Sequence, residues 1–315
     1  MSAENCSELS AHLRATSLAM LSEAGTRFEH ADRGVIGRFL DSFKSAPPGA
    51  GYRHVPASAR QMHAAVVQHH GAAEAGRDFL FAAVLAAIGD TLAAPAFLQL
   101  PPHIRGHQLR HVERILTNSG PTRAACALDD DLFLKDFGLA SLRMIAAGSN
   151  LIDVNSGVGR SILWKNGLRD LPRRLFLFAR LGGFRPCFEI HAHKFYMAEF
   201  NEEGRNECYR CCADLYPLYP GVRGMIAGSW FYDPVVAAIS PRLAYLREVP
   251  ERGGAFTLFT SFDDGARRNA LVKSATRRQL YEAGRYRPAA WTLVWPRARH
   301  QDWARRHPAT GRAAP

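Results

Sequence analysis

The sequence lacks a long uninterrupted apolar run. Its longest apolar stretch, 79–100, contains Gly89, Asp90, Thr91 and Pro95, which are too disruptive for a membrane span. The N-terminal residues also lack the basic region and apolar core of a secretory signal. We therefore expect a cytoplasmic protein without a membrane span, in which 79–100 forms a buried helix that ends before Pro95.

The chain also lacks the cysteine spacing of a disulfide framework. Its cysteines are few and irregularly placed over 315 residues, so we expect free thiols in a reducing compartment. They lie at Cys6, Cys126, Cys187, Cys208, Cys211 and Cys212. No P-loop, GxGxxG, GxSxG or HExxH motif is present, which disfavours the nucleotide, hydrolase and zinc-protease sites that these motifs define.

Acidic residues are in the minority. The 40 Lys and Arg against 29 Asp and Glu leave a net charge of +11. Nucleic-acid binding would favour basic residues gathered on one element with aromatics between them. Here the excess is mostly Arg, spread along the chain with a mild concentration in 297–312, and the Arg- and Ala-rich usage is of a bacterial type. We do not expect nucleic acid as a partner; the oligomeric state is left open.

Residues 1–125 have the periodicity of helices separated by proline and glycine breaks. From about 138 onward the pattern changes to runs compatible with strands, at 140–147, 151–155 and 161–165, which predict an antiparallel meander. The helices of the first part are expected around 9–21, 35–43, 57–70, 76–93 and 104–117.

Strands and helices then alternate. The pattern predicts a helix over 170–181, strands over 187–193, 222–231, 255–261 and 290–295, helices over 202–216 and 264–283, and an irregular or helical stretch over 234–246. We therefore expect an α/β (α+β) fold, with a helical N-terminal portion followed by a mixed β-sheet flanked by helices. The predicted domains are a helical region, 1–125, a mixed α/β domain, 130–308, and a flexible tail, 309–315.

The strongest chemical signal is a row of ionisable residues on one predicted strand. Side chains alternate along a strand, so Glu189, His191 and His193 share one face. Burying three such groups is costly without partners. They fit a general base with an orienting neighbour, or a divalent transition-metal site formed by His191, His193 and a carboxylate from Glu189, Glu199 or Glu203. The alternative is a strand end that emerges into solvent.

The residues after this strand have a structural explanation as well as a functional one. Asn201 is a good helix N-cap, and acidic residues such as Glu203 are favoured in a first helical turn. Glu199 or Glu203 could instead reach back over the strand end beside His193. Cys208 and Cys211 resemble half of a zinc motif, but their helical spacing favours core packing.

A second candidate segment ends the next predicted strand. Gly228 permits close approach of a ligand, Ser229 and Tyr232 supply hydroxyls, and Trp230 is either a wall of a site or part of the core. If this strand neighbours the one carrying the histidines, Tyr232 would lie within reach of the same pocket.

The order of elements from about 138 to 296 resembles the layout of the GNAT acyl-CoA-dependent N-acyltransferases. In that superfamily a base often stands on the fourth strand and a Tyr after the fifth acts as an acid. The resemblance places Glu189, His191 and His193 in the first role and Tyr232 in the second, and it implies acyl-CoA as cofactor. The family's pyrophosphate loop, Gln/Arg-x-x-Gly-x-Gly/Ala, has no counterpart before the helix that begins near Glu202.

The leading hypothesis is an enzyme of acyltransferase-like layout that acts on a small amine or amino-acid-like substrate. His191 or His193 is the general base, Glu189 orients it, and Tyr232 is the proton donor. Ser229 or a backbone N–H positions the acyl oxygen, and Gly228, Trp230 and Glu203 complete the substrate site. The alternatives are a metal-dependent enzyme of small-molecule metabolism and a non-catalytic regulatory or nucleic-acid-associated protein.

Overall fold

The computed structural model describes residues 3–27, 33–165 and 167–309 of the chain. The backbone divides into two units, one formed by 1–147 with 151–155 and the other by 148–150 with 156–315. The expected fold class is confirmed, since helices form the N-terminal portion and a mixed sheet with helices follows.

The first unit is helical up to Ala140, as its periodicity predicts, and then contributes the first strand and most of the second. From Phe79 onward helix α4 is mostly buried because it carries apolar residues on all its sides, and it ends at Ala93, before Pro95 as expected. The next helix begins at that proline, which is favoured in a first turn. The helices are α1 (Ala3–Arg27), α2 (Arg33–Lys44), α3 (Ala57–His70), α4 (Ala73–Ala93), α5 (Pro95–Leu98), α6 (Pro102–Thr117), α7 (Ser119–Ala124) and α8 (Asp131–Ala140).

The second unit alternates strands and helices. Its helices are α9 (Leu171–Leu181), α10 (Glu202–Leu215), α11 (Pro234–Ile239), α12 (Tyr245–Arg252), α13 (Asp264–Leu271), α14 (Ala275–Glu282) and α15 (Arg297–Arg306). The strands of the chain are β1 (Met144–Ala147), β2 (Asn150–Ser156), β3 (Cys187–Ala192), β4 (Gly224–Ser229), β5 (Phe256–Ser261) and β6 (Ala290–Pro296). The predicted strands from 187 onward are thus confirmed, with ends shifted by up to two residues.

The sheet has the strand order β1-β2-β3-β4-β6-β5. Strands β3 and β4 are parallel neighbours, with Glu189 paired to Ile226. Strand β6 runs antiparallel to both β4 and β5 and lies between them. The carboxyl ends of β3 and β4 therefore meet at one edge of the sheet, which is where sites collect in α/β proteins.

Each face of this sheet is covered by helices. On one face Ile226, Leu258 and Val294 pack with Phe178 and Leu181 of α9. On the other face Phe188 stacks on Tyr216 at 5.2 Å, and Trp295 contacts Trp303 edge-to-face at 5.3 Å. The face that carries Ile226 is also the one toward which Glu189 points, because residues on paired strands alternate together.

Three local predictions were wrong. The predicted strand over 161–165 is a 3-10 helix, Arg160–Leu163, because the guanidinium of Arg174 takes the carbonyl oxygens of Ile162 and Leu163 at 2.7 and 3.3 Å. The first part of 140–147 is not strand, since α8 extends to Ala140 from its N-cap at Asp130.

The third error concerns the long helix predicted over 264–283. It is two helices, α13 and α14, because the hydroxyl of Ser274 accepts a hydrogen bond from the N–H of Arg277 at 3.3 Å and starts a new helix. None of the helices in the described ranges is long and apolar enough to span a bilayer.

Candidate functional site

The row of ionisable residues lies on a strand, as expected. In β3 the side chains of Phe188 and Ile190 are buried on one face, whereas Glu189 and His191 are half-buried on the other. This alternation places Glu189 and His191 on the same face of the sheet, with Ile190 between them on the opposite face.

The carboxylate of Glu189 is held by two neighbours. The hydroxyl of Ser156 donates a hydrogen bond to Oε2 at 2.6 Å. The Nε2 atom of His191 lies 3.7 Å from the same oxygen, and the two groups form an ion pair when the imidazole is protonated. At 3.7 Å the two groups interact through their charges and are beyond direct hydrogen-bond distance.

Glu189 lines a cavity of about 150 Å³ on this face of the sheet. Its lining comes from the strands and from the segment before α9 and is partly polar and partly apolar. The polar lining is formed by Ser161, Lys165, Glu189, Thr260 and Thr292, and the apolar lining by Val158, Ile162 and Ile226. His191 is not part of this lining, so the carboxylate is the ionisable group of β3 that faces the cavity.

Glycines keep this space open. A Cβ at Gly228 would lie 4.0 Å from Oε1 of Glu189, so the missing side chain leaves room between β4 and the carboxylate. Gly228 pairs with Thr292 on β6, and the hydroxyls of Thr260 and Thr292 are hydrogen-bonded at 2.7 Å. The lining of the cavity thus offers hydroxyl groups as well as a carboxylate.

Lys165 contributes the opposite charge. It is exposed and lines the same cavity. The pKa of Asp263 is lowered mainly by a hydrogen bond from Ser261, and the charge of Lys165 adds to that shift. A cavity with Glu189 and Lys165 in its walls complements a small molecule that carries both an ammonium group and an anionic group.

His193 occupies a different environment. It is fully buried at the start of a 3-10 helix, Lys194–Glu199, where its Nδ1 accepts a hydrogen bond from the N–H of Phe195 at 3.4 Å. It does not line the cavity that contains Glu189. His193 therefore caps a short helix rather than joining the Glu189–His191 pair.

Tyr232 is also separate from the cavity. Its hydroxyl is fully buried and accepts a hydrogen bond from the guanidinium of Arg205, which also donates to Asn150 Oδ1 at 2.7 Å and to the Tyr209 hydroxyl at 3.2 Å. Burial raises the pKa of Tyr232, against the opposing charge of Arg205. The hydroxyl belongs to a closed network within the second unit.

The remaining predicted residues are dispersed. Ser229 is half-buried at the end of β4, and the ring of Trp230 packs beneath the guanidinium of Arg277 at 4.5 Å. Glu203 is exposed and pairs with Arg210. Among the described residues, the ligand atoms of His191, His193 and Glu199 are not gathered within 4.8 Å of one another, so these three do not form a metal centre.

The start of α10 follows its structural interpretation. Asn201 Oδ1 accepts a hydrogen bond from the N–H of Gly204 at 2.9 Å, as an N-cap does. Cys208, Cys211 and Cys212 are buried along α10, which confirms their expected place in the core. Burial raises the pKa of the Cys212 thiol well above its usual range.

Several residues of the site were missed in the sequence. Ser156, Lys165, Thr260 and Thr292 lie outside any motif. Thr260 and Thr292 have a usable signal, since each is a hydroxyl residue near the end of a predicted strand. Lys165 has none, because only the 3-10 helix before it brings this side chain to the cavity.

The chain was compared with protein family models, curated proteins and solved structures. None matches.

Proposed function

We propose that this chain is an enzyme that acylates a small amine or amino-acid-like substrate. The proposal depends on one observation: the carboxylate of Glu189, with His191 at 3.7 Å, faces a small cavity beside the parallel strands β3 and β4. A carboxylate in that position is placed to take a proton from a bound ammonium group.

The size and charge of the cavity support the substrate class. A volume of about 150 Å³ is below the roughly 300 Å³ at which pockets for drug-sized ligands begin. Lys165 and Glu189 offer one charge of each sign to the two ends of an amino acid. A small zwitterion satisfies both, whereas a simple amine satisfies only Glu189.

Acyl transfer is supported by the order of the elements. After β1 and β2 come α9, β3, α10 and β4. The resemblance to the N-acyltransferase layout is based on this order of elements. This support is an analogy of layout, so the reaction type needs the experiment below.

The start of α10 does not fit the pyrophosphate of acyl-CoA. Asn201 already occupies an amide of the first turn, and Glu202 and Glu203 place two carboxylates there. Phosphate groups would be repelled at this position. Acyl-CoA stays a prediction for the donor.

The chemistry at Glu189 is a proton transfer followed by attack. The substrate ammonium gives a proton to the carboxylate, and the free amine attacks the carbonyl carbon of an activated acyl group. The bond between this carbon and its leaving group breaks as the amide bond forms, and the second proton lost by the nitrogen goes to the leaving group, which departs neutral. A proton on Glu189 can pass to His191 through one bridging water, since the two groups lie 3.7 Å apart. The hydroxyls of Thr260 and Thr292 bind the polar end of the substrate.

The test uses the purified chain with a panel of amines and amino acids and with acetyl-CoA and longer acyl-CoAs as donors. Mass spectrometry detects the amide product. We expect Glu189→Gln to lower kcat/KM by about 100-fold or more, as loss of a general base does. The matched control is Glu203→Gln, which removes an exposed carboxylate from the same unit and should leave the rate unchanged. An unchanged rate in Glu189→Gln, or no amide with any acceptor and donor, would contradict the proposal.

A further inference from the structure

The segment from Arg160 to Leu181 has an unusual distribution of charge. It contains six basic residues and one acidic residue, and so carries +5 of the chain's net +11 within 22 positions. Five of the basic residues are exposed: Arg160, Lys165, Arg169, Arg173 and Arg180. We call the described part of this segment, which excludes residue 166, the basic apolar segment.

The same segment exposes large apolar side chains. Of the twelve large hydrophobic residues that are exposed in the described part of the chain, four lie here. They are Trp164, Leu168, Leu175 and Phe176, with 54%, 70%, 48% and 59% of their surface accessible. Exposed apolar residues that cluster among polar ones mark interaction surfaces.

Helix α9 shows why this surface is not simply a poorly covered core. The helix buries Arg174 on its inner side, where the guanidinium binds the carbonyl oxygens of Ile162 and Leu163. On its outer side it exposes Leu175 and Phe176, with the guanidinium of Arg180 5.5 Å from the Phe176 ring. An arginine is thus held inside the fold while leucine and phenylalanine face outward.

We propose that the basic apolar segment binds the surface of an anionic membrane. Basic side chains are attracted to negatively charged lipid headgroups, and Trp, Leu and Phe side chains insert at the boundary between headgroups and acyl chains. A second copy of the same surface is excluded as the occupant, because two surfaces of +5 repel each other. Nucleic acid would use the basic and aromatic residues but leaves Leu168 and Leu175 without a partner.

The test is co-sedimentation of the full chain with vesicles. Vesicles of phosphatidylcholine with about one-third phosphatidylglycerol should bind the chain, and vesicles of phosphatidylcholine alone should bind at least about tenfold less. Added salt should weaken the binding to the anionic vesicles, because it screens the headgroup charge.

Two double variants separate the charged and apolar contributions. Arg173→Gln with Arg180→Gln removes two exposed charges, and Leu175→Ser with Phe176→Ser removes two exposed apolar side chains. Each should reduce binding to the anionic vesicles by about tenfold or more. The melting temperature should stay within a few degrees of the parent, because all four side chains point outward.

Two single variants elsewhere on the second unit serve as controls, one for the loss of charge and one for the loss of an apolar side chain. Arg268→Gln removes an exposed charge on α13, and Val272→Ser removes an apolar side chain that is 65% exposed. Neither should change vesicle binding. Equal loss in the control and segment variants would overturn the proposal. So would equal binding to both kinds of vesicle, or binding to a nucleic-acid duplex with none to vesicles.

Discussion

Single residues decide what the cavity on the sheet can hold. Glu189 supplies a carboxylate fixed by Ser156, and Gly228 leaves the space in front of it open. Other residues of the same unit have an equally specific but purely structural role. Gly224 at the start of β4 is one, since a Cβ there would overlap the backbone oxygen of Trp295.

The two glycines of β4 should respond differently to alanine. Gly228→Ala places a methyl group in open space and should change the free energy of unfolding by no more than about 0.5 kcal/mol. Gly224→Ala forces the backbones of β4 and β6 apart and should cost about 1–3 kcal/mol. Urea denaturation measures both, and similar values for the two variants would contradict the packing described for β4.

A buried histidine predicts a loss of stability in acid. Burial lowers the pKa of His300 to about 3 from the ordinary 6.5, and its Nδ1 lies 3.0 Å from the Tyr216 hydroxyl. Between these pH values the unfolded chain binds a proton here that the folded chain does not. The contribution of neutral His300 to the free energy of unfolding is therefore fully present above pH 6.5. It decreases as the pH falls towards 3, by at most about 1.4 kcal/mol per pH unit.

The variant His300→Phe isolates this effect. Phenylalanine can keep the ring contact with Trp295, whose centroid lies 4.3 Å from that of His300, but it does not titrate. The variant is expected to be less stable than the parent at neutral pH, because it leaves the Tyr216 hydroxyl without its partner. The stability difference should narrow between pH 6.5 and 4, as measured by urea denaturation. A constant difference would show that the folded chain binds a proton at His300 as readily as the unfolded chain does.

At the scale of elements, side chains join helices to the turns that shape the site. Arg205 on α10 connects Asn150 at the start of β2 with Tyr232 in the turn after β4. Arg174 on α9 likewise donates a hydrogen bond to the carbonyl oxygen of Ile162, in the 3-10 helix beside the cavity. Both guanidinium groups are buried, so each link depends on acceptors that have no access to solvent.

Tyr232→Phe tests whether this tyrosine is structural or catalytic. The change leaves one buried N–H of Arg205 without an acceptor and should cost about 1–3 kcal/mol of unfolding free energy. Amide formation should continue at the parental rate, because the hydroxyl is not in the cavity. Tyr219→Phe, in a residue whose ring contacts Phe188, is the control and should change neither property. A folded Tyr232→Phe variant without activity would restore the tyrosine as proton donor.

At the scale of the whole molecule, the thiols distinguish the folded from the unfolded chain. All six cysteines are buried and free, and burial raises the pKa of Cys126 and of Cys187 to about 12. Thiolate, the reactive form, is therefore scarce at these two residues in the folded protein.

A thiol reagent such as DTNB should label none of the six cysteines rapidly under native conditions and all six in denaturant. Dithiothreitol should leave the melting temperature unchanged, because no disulfide contributes to the fold. The absorbance of the released thiolate reports the labelling. Rapid reaction of even one cysteine in the native protein would contradict the burial described.

The sequence alone determined the helical first part, the alternating second part and the shared face of Glu189 and His191, because these depend on local periodicity. It failed at 161–165, where apolar residues compatible with a strand form a 3-10 helix. That outcome depends on Arg174, which approaches from α9 and binds the carbonyl oxygens of Ile162 and Leu163.

Only the tertiary structure decided which ionisable residues meet. The sequence pattern predicts His193 and Tyr232 in one site with Glu189. In the structure His193 caps a short helix and Tyr232 binds Arg205. Lys165, Thr260 and Thr292 join Glu189 instead. Alternation along a strand specifies a face, but the neighbours on that face come from distant segments whose positions depend on the packing of the whole unit.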